Sequence, residues 1–188
     1  TRERVRRAAN DLGYQPSRVA RRLRLQEGDA NLLGLVIPDI QNPFFADVIR
    51  GVEDVVRDQD YALILSNSDE NPDKQRLAVD TLVTEEVDGV IVPPVRMDDP
   101  EVKRLVESDI AVVCVDRRME DVRVDTILSD NRAGAYKAVT HLIACGHERI
   151  GFIGGIPRIS TSMDRRKGYE QALAEQDVPV DPALIREG

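Results

Sequence analysis

The stretch Leu33–Val56, LGLVIPDIQNPFFADVIRGVEDVV, constrains the chain more than any other. It opens on an apolar run, Leu33 to Ile37, interrupted only by Gly34. A run without polar alternation suits a strand covered on both faces, as in a parallel sheet. A polar loop, Pro38 to Pro43, follows. Asn42 can accept hydrogen bonds from the free N–H groups of a helix start, and Pro43 fits the first helical position. Phe44, Phe45, Val48, Ile49, Val52, Val55 and Val56 then recur at helical spacing. Strand, loop and helix make the first half of a βαβ unit.

The alternation continues to the end of the chain. The spacing predicts strands over 62–65, 89–92, 110–115 and 149–153, with a short apolar piece over 126–128. It predicts helices over 72–86, 100–107, 132–144 and 163–175. Asn71 before Pro72, and Asp98 or Asp99 before Pro100, repeat the cap signature, and Gly146 supplies a stop. Pro179 and Pro182 punctuate the tail, and 183–185 could open another strand. Strands alternating with helices predict an α/β fold with a doubly wound parallel sheet.

Residues 1–25 have a different character. Thr1 can cap a helix whose apolar stripe is Val5, Ala8, Ala9 and Leu12. Nothing nearby is long enough to cover that stripe. Ser17 can cap a second helix, Arg18 to about Leu25, with Val19, Ala20 and Leu23 on one side and Arg18, Arg21, Arg22 and Arg24 around them. Isolated helices below roughly 12 residues are marginal in water. This one carries four like charges and gains order when a polyanion neutralises them. DNA phosphates supply that countercharge, and Leu23 can wedge into a minor groove. Residues 26–31, QEGDAN, read as a linker. The eight arginines of residues 1–25 outweigh Glu3 and Asp11 for a net of +6, so within a total of −8 the remainder carries −14. A basic head on an acidic body meets a polyanion with the head alone.

Several classes are disfavoured. No apolar run is long enough for a membrane span, and the arginine-rich amino terminus has no apolar signal region. Cys114 and Cys145 read as reduced core residues of a cytoplasmic protein. His141, Cys145 and His147 form H-x-x-x-C-x-H across the Gly146 helix stop with no fourth ligand, so no metal is expected. No phosphate loop, dinucleotide fingerprint or nucleophile elbow occurs. In an open α/β sheet ligands bind beyond the carboxyl ends of the strands. The residues there are Asp39, Asn42 and Phe44; Ser66, Asn67 and Asp69; Asp116, Arg117 and Arg118; Ser129, Asp130 and Asn131; and Ser160, Thr161, Ser162 and Arg165. This rim of hydroxyls, carboxylates, amides and arginines, with Phe44 and its neighbour Phe45, suits a polar neutral ligand such as a sugar or nucleoside.

The order TRERVRRAANDLGYQPSRVARRLR, LLGLVIPDIQNPFFADVIRGVE, VDGVIV, VVCVDR, SDNRAGAYKAVTHLIACGHERIGFIGG and STSMDRRKGY resembles the LacI/GalR family of bacterial transcription repressors. The resemblance implies a periplasmic-binding-protein-like type I fold behind a helical DNA-binding remnant. It divides the chain into the end of a helix-turn-helix headpiece (1–15), a hinge helix and linker (16–31), an amino-terminal effector subdomain (32–147) and the start of a second (148–188). A recognition helix before Thr1 and most of the second subdomain after Gly188 belong to the family's order, so a fragment is expected. Operator contact falls to Tyr14, Ser17, Arg18, Val19, Ala20, Arg21, Leu23 and Arg24. Effector contact falls to Phe44, Phe45, Asp130, Thr161 and Arg165, with Ser160 beside them. The implied partners are operator DNA, a sugar or nucleoside effector, and a second copy across the helices after the first two strands. No cofactor and no catalysis are implied. The alternative is a solute-binding protein of the same fold, which would have no use for the basic head.

Overall fold

The computed structural model describes residues 2–12 and 31–188. The hinge helix, and with it Tyr14, Ser17, Arg18, Val19, Ala20, Arg21, Leu23 and Arg24, lies outside the described residues.

Helix α1 spans Arg2–Asp11. Val5 and Leu12 of its apolar stripe are exposed. The alternating elements that follow are β1 (Leu32–Ile37), α2 (Pro43–Asp58), β2 (Ala62–Asn67), α3 (Pro72–Thr84), β3 (Gly89–Val92), α4 (Pro100–Glu107), β4 (Ala111–Val115) and β5 (Asp125–Ile127). Then come α5 (Asn131–Ala144), β6 (Phe152–Gly154), α6 (Ser160–Ala174), a 3₁₀ turn over Pro182–Leu184 and β7 (Ile185–Glu187). Three of the helices start as their sequences predict. Asn42, Asn71 and Asp99 each accept a backbone N–H from the first turn, and a proline follows each.

Five strands form a parallel sheet in the order β2-β1-β3-β4-β5. Strand β1 is central enough to be paired on both edges, Leu33 with Leu63 and with Gly89. Its two faces are both covered. Leu32 and Val36 join Val79, Leu82, Val90, Val92, Val102, Leu105 and Cys114 in a core under α3 and α4. Leu35 and Ile37 join Phe45, Ile49 and Val52 on the opposite face, under α2. Successive side chains of a strand point to opposite faces. An uninterrupted apolar strand therefore needs helices on both sides. Gly34 is where Leu82 of α3 approaches closest.

The predicted alternation is split between two sheets. Strands β6 and β7 form a separate parallel pair, Phe152 with Ile185 and Gly154 with Glu187. Strand β6 starts three residues later than the apolar pattern suggests, because its partner β7 begins only at Ile185, after the 3₁₀ turn; the Ile150 carbonyl accepts from the Tyr169 hydroxyl at 2.8 Å. Helix α6 starts at Ser160 rather than Met163, after Ile159 and without a side-chain cap. Helix α5 lies wholly on the amino-terminal side of the 147/148 boundary expected from sequence. It packs on α6, and its Val139, Tyr136 and Ile143 share a core with Ile150, Phe152, Tyr169, Leu173 and Ile185. Cys114 is buried as expected, but Cys145 is exposed, because the apolar residues around it turn toward α6 while the helix end itself stays in water. No helix among the described residues is long and apolar enough to cross a membrane.

The α5–α6 contact is close because Gly168 has no side chain. A Cβ there would overlap the carbonyl oxygen of Arg132 and lie 2.9 Å from the amide nitrogen of Tyr136. Both obstacles are backbone, so one helix would have to move. Gly134, in the first turn of α5, has open space around it. Gly168→Ala is therefore expected to destabilise by about 1–3 kcal/mol, the cost of overpacking. Gly134→Ala should stabilise by roughly 0.5–1 kcal/mol. Urea unfolding of the two variants checks this; equal midpoints would show that the helices do not meet at Gly168.

Candidate functional site

A cleft of about 520 Å3 opens between the carboxyl end of the five-stranded sheet and the start of α6. Its first wall is built by the loops after β1, β2 and β4. Asp39 accepts the Gln41 N–H at 2.8 Å and Asn42 accepts that of Phe44 at 3.1 Å, which holds this loop to the start of α2. Phe44 and Phe45 meet edge to face, their centroids 5.1 Å apart. Phe45 is buried in the core under α2, while Phe44 is 41% exposed and presents its ring to the cleft.

The charged floor comes from the loops after β2 and β4. Arg117, 7% exposed, makes a two-pronged ion pair with Glu70, Nη1 to Oε2 at 2.8 Å, and donates to the Pro94 carbonyl at 3.3 Å. Its Nε lies 3.7 Å from the Asp116 carboxylate. Glu70 and Asp116 both sit in the left-handed region, with φ of 55° and 64°. Residues that lack glycine's freedom adopt this region at a cost and cluster where function requires it. Here the turns aim both carboxylates into the cleft.

The second wall belongs to α5 and α6. Arg165 donates from Nε to Asn131 at 2.7 Å. Thr161, Ser162, Ile156 and Ile159 complete the lining with Ser129 and Asn131.

The expected effector residues divide. Phe44, Phe45, Thr161 and Arg165 line the cleft. Asp130 and Ser160 do not. Asp130 caps α5 by accepting the Ala133 N–H at 2.9 Å, and buried Ser160 accepts the backbone N–H of Arg118 at 3.2 Å. Of the wider rim, Asn67 is turned back to the Ile40 N–H, and Arg118 pairs with Asp164. Glu70, Ile156 and Ile159 are cleft residues that the sequence pattern does not single out. Glu70 ends the polar run SNSDE that includes Asp69, and nothing in its local pattern separates it from ordinary loop charge. Cys145 Sγ lies 3.8 Å from His141 Nε2, and no group of three or more His, Cys, Asp or Glu is placed to hold a metal among the described residues.

Residues 30–188 match the family described as periplasmic binding proteins and sugar binding domain of LacI family. The chain belongs to the LacI family. It is 34% identical to catabolite control protein A of Priestia megaterium, over all of this chain and 56% of that protein. It is 36% identical to the transcriptional repressor PurR of Photobacterium profundum, again over all of this chain and 56% of that one. Among solved structures, the transcriptional regulator CelR in complex with cellobiose superposes with a TM-score of 0.73 at 27% identity, covering 100% of this chain and 56% of that one. The chain thus spans about half the length of the relatives it matches. Within this LacI-family chain, the cleft lies where the loops of the five-stranded sheet face the first turns of α6.

Burial is the largest influence on Asp116 and pushes its carboxyl above the ordinary carboxylate range. Arg117 and Arg165 pull it down, and Glu70 pushes it further up. A carboxyl raised on folding favours the folded state most at pH below its unfolded pKa, and that advantage is lost as pH rises through the folded pKa. Asparagine also tolerates left-handed backbone. Asp116→Asn is expected to melt at pH 7 no lower than the parent and to lose this residue's share of the stability gained on acidification. A pH series of thermal melts tests it; a lower melting temperature at pH 7 would mean that the charge of Asp116 stabilises the fold.

Proposed function

We propose that this chain is part of a bacterial transcription repressor, not an enzyme, whose hold on operator DNA is governed by an uncharged sugar or nucleoside in the cleft. The observation that carries the reading is the cleft itself. Two separately packed units contribute its walls, one exposed phenylalanine offers an apolar platform, and amide, hydroxyl and guanidinium groups surround it. Such a surface matches a polyol, whose ring faces are apolar and whose edges need paired donors and acceptors. Its charge argues for a neutral ligand. Three carboxylates, Asp39, Glu70 and Asp116, stand against two guanidiniums, Arg117 and Arg165, and Arg117 is already committed to Glu70. A phosphorylated ligand would meet a net negative cleft. That the solved structure of a relative is a complex with cellobiose, an uncharged sugar, supports the same ligand class.

The remaining roles follow the family's order. Residues 1–15 end a DNA-binding headpiece, and 16–31 form a hinge that orders on the operator, with Leu23 as its wedge. Residues 32–147 and 148–188 supply the two effector subdomains. The repressor works as a cytoplasmic homodimer through α2 and α3, whose Val55 and Leu77 are 64% and 68% exposed. Ligand in the cleft changes how the two walls sit, and that difference biases the hinge. A transport solute-binding protein of the same fold gives no role to the eight arginines of residues 1–25.

Thermal-shift measurements with D-ribose, cellobiose and adenosine against fructose 1-phosphate test the ligand class. A neutral compound is expected to raise the melting temperature and the phosphorylated one to leave it unchanged; the reverse would overturn the charge argument. Arg165→Ala should weaken the neutral ligand by about tenfold or more, the loss of a charged hydrogen bond worth ~1.5–3 kcal/mol. For the DNA half, Leu23→Ala should lose selective retention of duplexes from a random pool in gel shifts without a change in melting temperature. Equal retention by the variant would remove the hinge assignment.

A further inference from the structure

Two contacts fasten α6 to the loop after β4, an ion pair and a backbone hydrogen bond, and Arg118 makes both. Its guanidinium grips the Asp164 carboxylate with two nitrogens, Nη2 to Oδ1 at 3.1 Å and Nη1 to Oδ2. Its backbone N–H donates to the Ser160 hydroxyl at 3.2 Å. Ser160 is buried and cannot give that contact up to water without moving the helix. Neither Arg118 nor Asp164 lines the cleft. Their chain neighbours do: Asp116 and Arg117 precede Arg118, Thr161 follows Ser160, and Arg165 follows Asp164.

This arrangement has a mechanical meaning. Successive residues of a helix are about 100° apart around its axis, so Asp164 and Arg165 face different ways. Arg165 bonds to Asn131 along the same wall of the cleft, and Asp164 reaches back to Arg118 on the other unit. The five-stranded sheet with its helices forms one packed unit, and α5, α6, β6 and β7 form another with its own core. The chain passes between them through residues 128–130. With this single chain connection on one side, a second fixed point on the other restricts how the two units can turn against each other.

We propose that Arg118 and Asp164 are positioning residues that pin the two walls of the cleft together and set how far it opens, without touching the ligand. The consequence for ligand affinity rests on the effector reading of the cleft; the pin itself does not. The local electrostatics are consistent with a formed bridge. Arg118 holds the Asp164 carboxyl below the ordinary range, Lys167 and Arg132 act in the same direction, and Asp164 and Glu120 raise Arg118. A bidentate guanidinium–carboxylate pair fixes orientation as well as distance, which a lysine would not do.

The test needs no ligand, so failure of the ligand proposal leaves it intact. Cys145 is exposed on α5, and Cys114 is buried with its thiol pushed up to about 12, so a thiol-reactive spin label goes to Cys145 alone. Adding Thr84→Cys at the end of α3 places a second label on the other unit. Pulsed dipolar spectroscopy on the 188-residue chain should give one narrow distance distribution. Arg118→Ala and Asp164→Ala should each broaden it, and the charge-swapped double variant, Arg118→Asp with Asp164→Arg, should narrow it again. Melting temperature serves as the control that a merely structural role would move. Where an alanine variant fails to fold, Arg118→Lys and Asp164→Asn read the same effect with the side-chain bulk retained. Unchanged distributions in folded single variants, or broadening that the swapped pair does not reverse, would overturn the proposal.

Discussion

Strand β1 has to be dry on both faces, and most of the structure depends on that requirement. Leu35, Val36 and Ile37 have almost no contact with solvent, yet they point alternately to opposite sides of the sheet. Burying both sides demands a helix layer above and below, and parallel pairing with neighbours on both edges provides the frame. Helix α2 covers one face through Phe45, Ile49 and Val52; α3 and α4 cover the other through Val79, Leu82, Val102 and Leu105. The helices then deliver their capped amino-terminal ends, and the loops before them, to the carboxyl edge of the sheet. The cleft is a by-product of this geometry before any residue in it is specialised.

Specialisation appears as charge held under constraint. A buried guanidinium without a partner is costly, so Arg117 is tied at both terminal nitrogens to Glu70 and the Pro94 carbonyl. The partner carboxylates come from left-handed turns, which are costly in themselves. The result is a rigid patch of fixed polarity beside the apolar edge of Phe44. A surface of that kind holds a polar ligand by matching hydrogen bonds, and its excess of carboxylates over guanidiniums works against an anion.

The two units meet across a narrow connection, and each has a separate core. Helix α6 is held to α5 through the bare backbone at Gly168 and to the first unit through Arg118. The first contact is packed and permits little relative motion. The second is polar: a partly exposed ion pair with Asp164 and a backbone N–H bond to the buried Ser160. A fold in which one wall of a cleft is rigidly built and also pinned at a point can change its opening without disturbing either core.

Much of this was legible in the chain. Helix starts at Pro43, Pro72 and Pro100 follow from Asn or Asp before proline, and the strands follow from apolar runs between polar loops, because both signals are local. The carboxyl-end rim followed from topology, and with it Phe44, Thr161 and Arg165. The LacI-family motifs sharpened that reading residue by residue. What the sequence could not determine is which local elements share a partner. Helix α5 follows a strand of the first sheet yet packs on α6, since apolar spacing encodes that a face is buried and not what buries it. Asp130 and Ser160 had the chemistry of ligand contacts, and the tertiary structure spent one on a helix cap and the other on a backbone N–H. Glu70 had no distinguishing pattern and was placed in the cleft by a left-handed turn and a distant arginine. Burial, being a property of single residues in sequence period, was written in the chain; pairing, being a property of two distant ones, was decided only when it folded.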